Sequence, residues 1–148
     1  MTEKILFVSI YQEGKGGGEG RVAYEMARWF SRSHPVVMLC PGATTGLRTD
    51  ASGFQMFTLK STNDGNLALP LLSPLNIRRL YSFLDEFKPD IVHIHSPALL
   101  GVIAQLWAII HQVPVFYTAH IIPSRALDFG TNEVAQFLTG PITEGLVD

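Results

Sequence analysis

Short apolar runs alternate along this chain with amphipathic stretches, and that alternation predicts its elements. The run Ile5-Leu6-Phe7-Val8 opens a strand over residues 5–10. Val22, Ala23, Met26, Ala27 and Phe30 then recur at helical spacing, which predicts a helix over 20–32 with those five on one face. A second strand covers 36–40. A turn rich in Gly, Thr and Asp separates it from a third over 54–59. Residues 60–72 are polar at first and leucine-rich later, without a clear period, and read as a long loop. Loops of that length in compact domains are usually functional or mobile. Ser73-Pro74 supplies an N-cap and a first-turn proline for the next helix. That helix turns Leu80, Phe83, Leu84 and Phe87 inward and stops before Pro89. A fourth strand over 91–95 carries two histidines, and a fifth lies over 114–119. Between them, residues 98–110 form a helix apolar nearly all round, as suits an element covering a parallel sheet. A last helical stretch lies near 135–138. Strands alternating with helices predict an α/β fold, a Rossmann-like parallel sheet with helices on both faces.

Composition narrows the function classes. With 148 residues, 47% hydrophobic and 16% charged, the chain can bury a real core and is not disordered. A net charge of −2, with no basic stripe, gives no electrostatic case for nucleic acid. The single cysteine, Cys40, excludes a disulfide framework, fits a reducing cytoplasm, and reads as a small buried hydrophobe. The longest apolar window, 98–119, is broken by Gln105, His111, Gln112 and Pro114. Spanning a bilayer takes roughly 20 uninterrupted apolar residues. A soluble domain is the expectation.

Candidate chemistry begins with the loop after the first strand, which holds Gly14, Gly16, Gly17, Gly18 and Gly20. Glycines between a strand and a helix let backbone N–H groups approach a ligand closely, and the helix start favours an anion. Two nucleotide motifs are excluded. Lys15 is followed by Gly16, so a Walker A hydroxyl is missing. Counting a dinucleotide fingerprint from Gly14 puts Glu19 where the last glycine belongs.

Open α/β sheets bind ligands beyond the carboxyl ends of their strands. The glycine loop, His95-Ser96-Pro97 and Thr118-Ala119-His120 all fall at such ends. His93 and His95 are expected to point to opposite faces of the sheet, so that only one can meet a given ligand. His34 and His111 follow helices, where an imidazole suits the helix dipole, and take no catalytic role. No His/Cys spacing typical of zinc and no G-x-S-x-G elbow is present.

These pieces together resemble a known family. Lys4-Ile5-Leu6-Phe7-Val8, then Gly16-Gly17-Gly18, Ala23, Ala27 and His34 look like the amino-terminal domain of retaining GT-B glycosyltransferases of family 4. The run from Lys88-Pro89-Asp90 to His95-Ser96-Pro97, with Gly101 and Ala104, Val113-Pro114-Val115 and Thr118-Ala119-His120, strengthens the match. The resemblance implies an acceptor-side domain over 1–148, with the carboxy-terminal nucleotide-sugar domain absent from this chain. Gly16, Gly17 and Gly18 would close over the donor diphosphate or the acceptor. His95 and Ser96 would line the acceptor side, and His120 would stand beside the reacting sugar as the catalytic residue. No metal or cofactor is implied, the nucleotide-diphosphate sugar being the donor substrate. The acceptor would be a lipid or a glycan, with a modest preference for lipid and hence peripheral association at the inner face of the membrane. A sugar-nucleotide epimerase of the same architecture and a non-catalytic binding domain stay open as alternatives. A continuation carrying Glu-x7-Glu in a second domain would select the transferase.

Overall fold

A computed structural model describes residues 2–11, 17–62, 68–96 and 98–120. The chain divides into two compact units, Met1–Thr118 and Ala119–Asp148. The helix expected near 135–138 lies outside the described residues, as do Gly14 and Gly16 of the glycine loop.

The first unit is built on one sheet. Its strands are β1 (Ile5–Val8), β2 (Val36–Gly42), β3 (Gly46–Thr49), β4 (Gln55–Lys60), β5 (Ile91–Ile94) and β6 (Val115–Tyr117). Their order is β3-β4-β2-β1-β5-β6, parallel throughout except that β3 runs antiparallel to β4. Three helices connect them: α1 (Gly17–Phe30), α2 (Pro74–Phe87) and α3 (Leu99–Ile110).

Both faces of the central strands are buried, which is why β1 and β2 read as unbroken apolar runs. Ile5, Phe7, Val36 and Met38 pack under α1 through Ala23 and Ala27. Leu6, Val8, Val37, Leu39, Val92 and Ile94 pack on the other face, with Leu80 and Leu84 of α2 and Leu100, Ala104 and Trp107 of α3. Phe83 and Phe87 are partly buried against that second cluster, as their spacing requires. Cys40 is buried, as a small hydrophobe should be.

The caps of α2 stand where Ser73-Pro74 and Pro89 predict them. Ser73 accepts a hydrogen bond from the Asn76 amide at 3.2 Å, and Lys88, with φ 51°, closes α2 through a 2.8 Å bond to the Leu84 carbonyl. Three expectations are corrected. First, α1 begins at Gly17, so Gly17 and Gly18 belong to its first turn; Val22, expected on the inner face, is exposed. Second, the Gly/Thr/Asp turn contains β3. This strand offers one apolar residue, Leu47, and is exposed, so it carries no hydrophobic signal. Third, α3 buries only one side; Val102, Leu106, Ile109 and Ile110 face outward. The stretch 60–72 is a loop as expected; residues 63–67 lie outside the described residues, and those on either side of them are tied together. Ser61 bridges Pro70, the Thr62 amide donates to Leu69 O at 2.9 Å, and the Leu71 amide donates to Lys60 O at 2.7 Å.

Candidate active site at the carboxyl edge of the sheet

The chain leaves β1 through α1 toward β2 on one side, while β5 lies against β1 on the other. The gap beyond the ends of β1 and β5 is therefore the topological switch point, where open α/β sheets take their ligands. Polar residues gather there. Ser9 is fully buried just past β1, and its hydroxyl accepts the Tyr11 amide at 3.2 Å. His95 and Ser96, just past β5, are also buried. The His95 amide donates to Val8 O at 2.9 Å, continuing the β1–β5 ladder by one residue.

Glu19, in the first turn of α1, joins these strand ends. The Ser96 hydroxyl donates to its carboxylate. Tyr11 feels the same group: burial pushes the phenol pKa up, and the negative charge of Glu19 pushes it further. From the opposite side, α3 presses on the turn at Gly101. A Cβ there would stand 2.5 Å from the Ser96 carbonyl oxygen and 2.9 Å from Ile94 Cγ2. Glycine is needed for that close approach.

The two histidines do not diverge. Their rings stack 4.5 Å apart, and both meet Phe7, at 4.9 Å for His93 and 5.7 Å for His95. Residues two apart on a pleated strand share a face, so the expectation of opposite faces is corrected by the period of the strand itself. His93 Nε2 also lies 2.7 Å from Thr118 Oγ1, tying β5 to the end of the first unit.

Of the residues singled out from the sequence, the fold thus brings His95 and Ser96 to the start of α1, which Gly17 and Gly18 open. Gly16 and Pro97 lie outside the described residues. His120 belongs to the second unit, where it is half-buried. Glu19 and Tyr11 were not picked out as functional. The usable signal was a carboxylate directly after the glycines, in the first turn of a helix.

Among the described residues no group of three or more His, Cys, Asp or Glu could hold a metal ion, and no helix is long and apolar enough to cross a membrane. A groove of about 1130 Å³ does exist, lined by Trp29, Phe30, His34 and Phe54 among others. It opens by the starts of β2 and β4, at the amino edge of the sheet and away from the switch point.

A mostly parallel sheet in this strand order, with helices on both faces, defines a Rossmann-like domain. A family model described as Glycosyltransferase Family 4 matches residues 16–139, most of the chain, and the chain belongs to that family. A search of curated proteins found no match.

Proposed function

We propose that the chain is the acceptor-side domain of a retaining glycosyltransferase, one that moves a sugar from a nucleotide-diphosphate sugar to a lipid or glycan acceptor. The observation that carries this reading is the convergence of Glu19, His95 and Ser96 at the switch point of a family 4 domain. Retaining transfer needs a leaving diphosphate stabilised by amides and cations, and a polar group that positions the sugar. In this assignment Gly16, Gly17 and Gly18 close over the diphosphate or the acceptor, His95 and Ser96 line the acceptor side, and His120 positions the sugar. The remaining donor contacts come from a second, nucleotide-sugar domain. The domain works in the cytoplasm, at the inner face of the membrane when the acceptor is a lipid.

The full encoded protein should be incubated with UDP-, GDP- and ADP-sugars labelled in the sugar. Phosphatidylinositol vesicles, diacylglycerol vesicles and oligosaccharides serve as acceptors. Label transferred to one acceptor class with retained anomeric configuration supports the reading. Inverted product would overturn it. Conversion of a nucleotide-sugar to its epimer without any acceptor would select the epimerase alternative.

A further inference from the structure

We infer that Glu19 is a positioning residue of the carboxyl-edge site, which locks the His95–Ser96 turn onto the start of α1 through the Ser96 hydroxyl. The inference deepens the acceptor-side reading and rests on it for its functional meaning. Its physical basis is independent. Ser96 is 2% exposed, so its hydroxyl has little access to water and needs a partner inside the protein. That partner is a carboxylate 77 residues earlier in the chain. Hydrogen bonds to an ionised acceptor are the stronger kind.

Contacts from three elements hold the backbone and the Ser96 side chain of the turn. The His95 amide is bonded to Val8 O, the backbone of Ser96 rests against Gly101, and the Ser96 side chain is held by Glu19. The first two come from the sheet and from α3, and the third comes from α1. Glu19 also acts electrostatically on Tyr11, which follows β1. One carboxylate therefore faces the segments after both strands that flank the switch point. The helix bearing the glycines and the turn bearing His95 are coupled through it, so a displacement of one is felt by the other.

A first-turn acid can also serve only the dipole of its own helix. Two substitutions separate the roles. Glu19→Gln removes the charge but keeps an oxygen able to accept from Ser96, whereas Glu19→Ala removes both. Amide hydrogen exchange and the ring resonances of His95 would be followed by NMR in the 148-residue chain. The positioning role expects Glu19→Ala to speed exchange of the His95 and Ser96 amides by at least about tenfold while Glu19→Gln stays within about twofold of the unmutated chain. The His95 ring signals should move in the alanine variant and return in the glutamine one, because that ring stacks on Phe7 and His93. Ser96→Ala should reproduce the Glu19→Ala effect and add nothing to it. Equal effects of Gln and Ala, or faster exchange confined to α1, would overturn the assignment. If Glu19→Ala fails to fold, Ser96→Ala carries the same comparison. Neither readout involves sugar transfer, so a negative result removes Glu19 and leaves the transferase reading to its own test.

Discussion

At Gly101 two residue-level effects oppose each other. Replacing a helical glycine by alanine ordinarily stabilises by about 1 kcal/mol. Here the new Cβ would meet a backbone carbonyl at 2.5 Å, and backbone cannot swing aside as the end of a side chain can. Overpacking of this sort costs about 1–3 kcal/mol, so Gly101→Ala should destabilise on balance. A lower urea midpoint, together with shifted His95 and Ser96 resonances, is the expected result; a raised midpoint would show that the turn yields. Tyr11 gives a second prediction. Burial is the larger cause of its raised pKa, so Glu19→Gln should bring the phenol only part of the way back toward 10.0. The sign follows from linkage. The folded state holds this proton more tightly, so the associated stability is present below pH 10 and is lost as pH rises through the folded pKa. Phenolate absorbance across an alkaline titration of both proteins checks the shift. His120, assigned to position the sugar, gives a third. His120→Ala in the full encoded protein should lower turnover at least about tenfold, roughly 1.4 kcal/mol of barrier, at an unchanged melting temperature. Unchanged turnover per folded molecule would remove it from the site.

Among the elements, those with a period or a cap were legible in the sequence and those held by polar side chains were not. Ser73 and Pro74 announced α2 because capping is a local property. The strand β3 could not be announced, because its hairpin is closed by a side chain and not by burial. Asp50 Oδ1 accepts the Ser52 amide at 2.7 Å, the Ser52 hydroxyl at 2.6 Å and the Phe54 amide at 3.0 Å, while Oδ2 accepts the Tyr24 hydroxyl at 3.0 Å. Gly53, with φ 86°, lets the chain turn there. These bonds, the Ser52 hydroxyl first, hold the Asp50 carboxyl at about 2, below its ordinary 3.8. A depressed carboxyl pKa contributes stability that is present above pH 4 and is lost as pH falls through about 2. Asp50→Asn should therefore weaken the fold at neutral pH and flatten its loss of stability between pH 4 and 2. Urea midpoints measured at several acid pH values would show it, and parallel curves for the two proteins would refute it. The outer side of α3 shows the reverse failure of sequence reading. Leu106, Ile109 and Ile110 extend the apolar pattern all round the helix, yet hydrophobicity alone does not say which side the sheet takes.

For the molecule as a whole, what was legible followed from burial on both faces of the sheet. β1, β2 and β5 are flanked by parallel neighbours, so their sequences announced a parallel α/β domain and placed its chemistry at strand ends. The site was legible only in part, because the contact that joins it spans 77 residues and depends on a side-chain geometry that no local pattern encodes. The same organisation makes a prediction about autonomy. Among the described residues, both hydrophobic clusters, the six strands and the three helices lie within Met1–Thr118. A chain of that length can bury a sufficient core by itself. The fragment 1–118 should then unfold cooperatively, with a melting temperature within about 4–8 °C of the longer chain, the shift that about 1 kcal/mol produces in a domain near this size. Differential scanning calorimetry of both, with matched heteronuclear NMR spectra, tests it. A broad, non-cooperative melt, or amide signals of β5 and β6 collapsing to random-coil positions, would show that residues after Thr118 complete this fold.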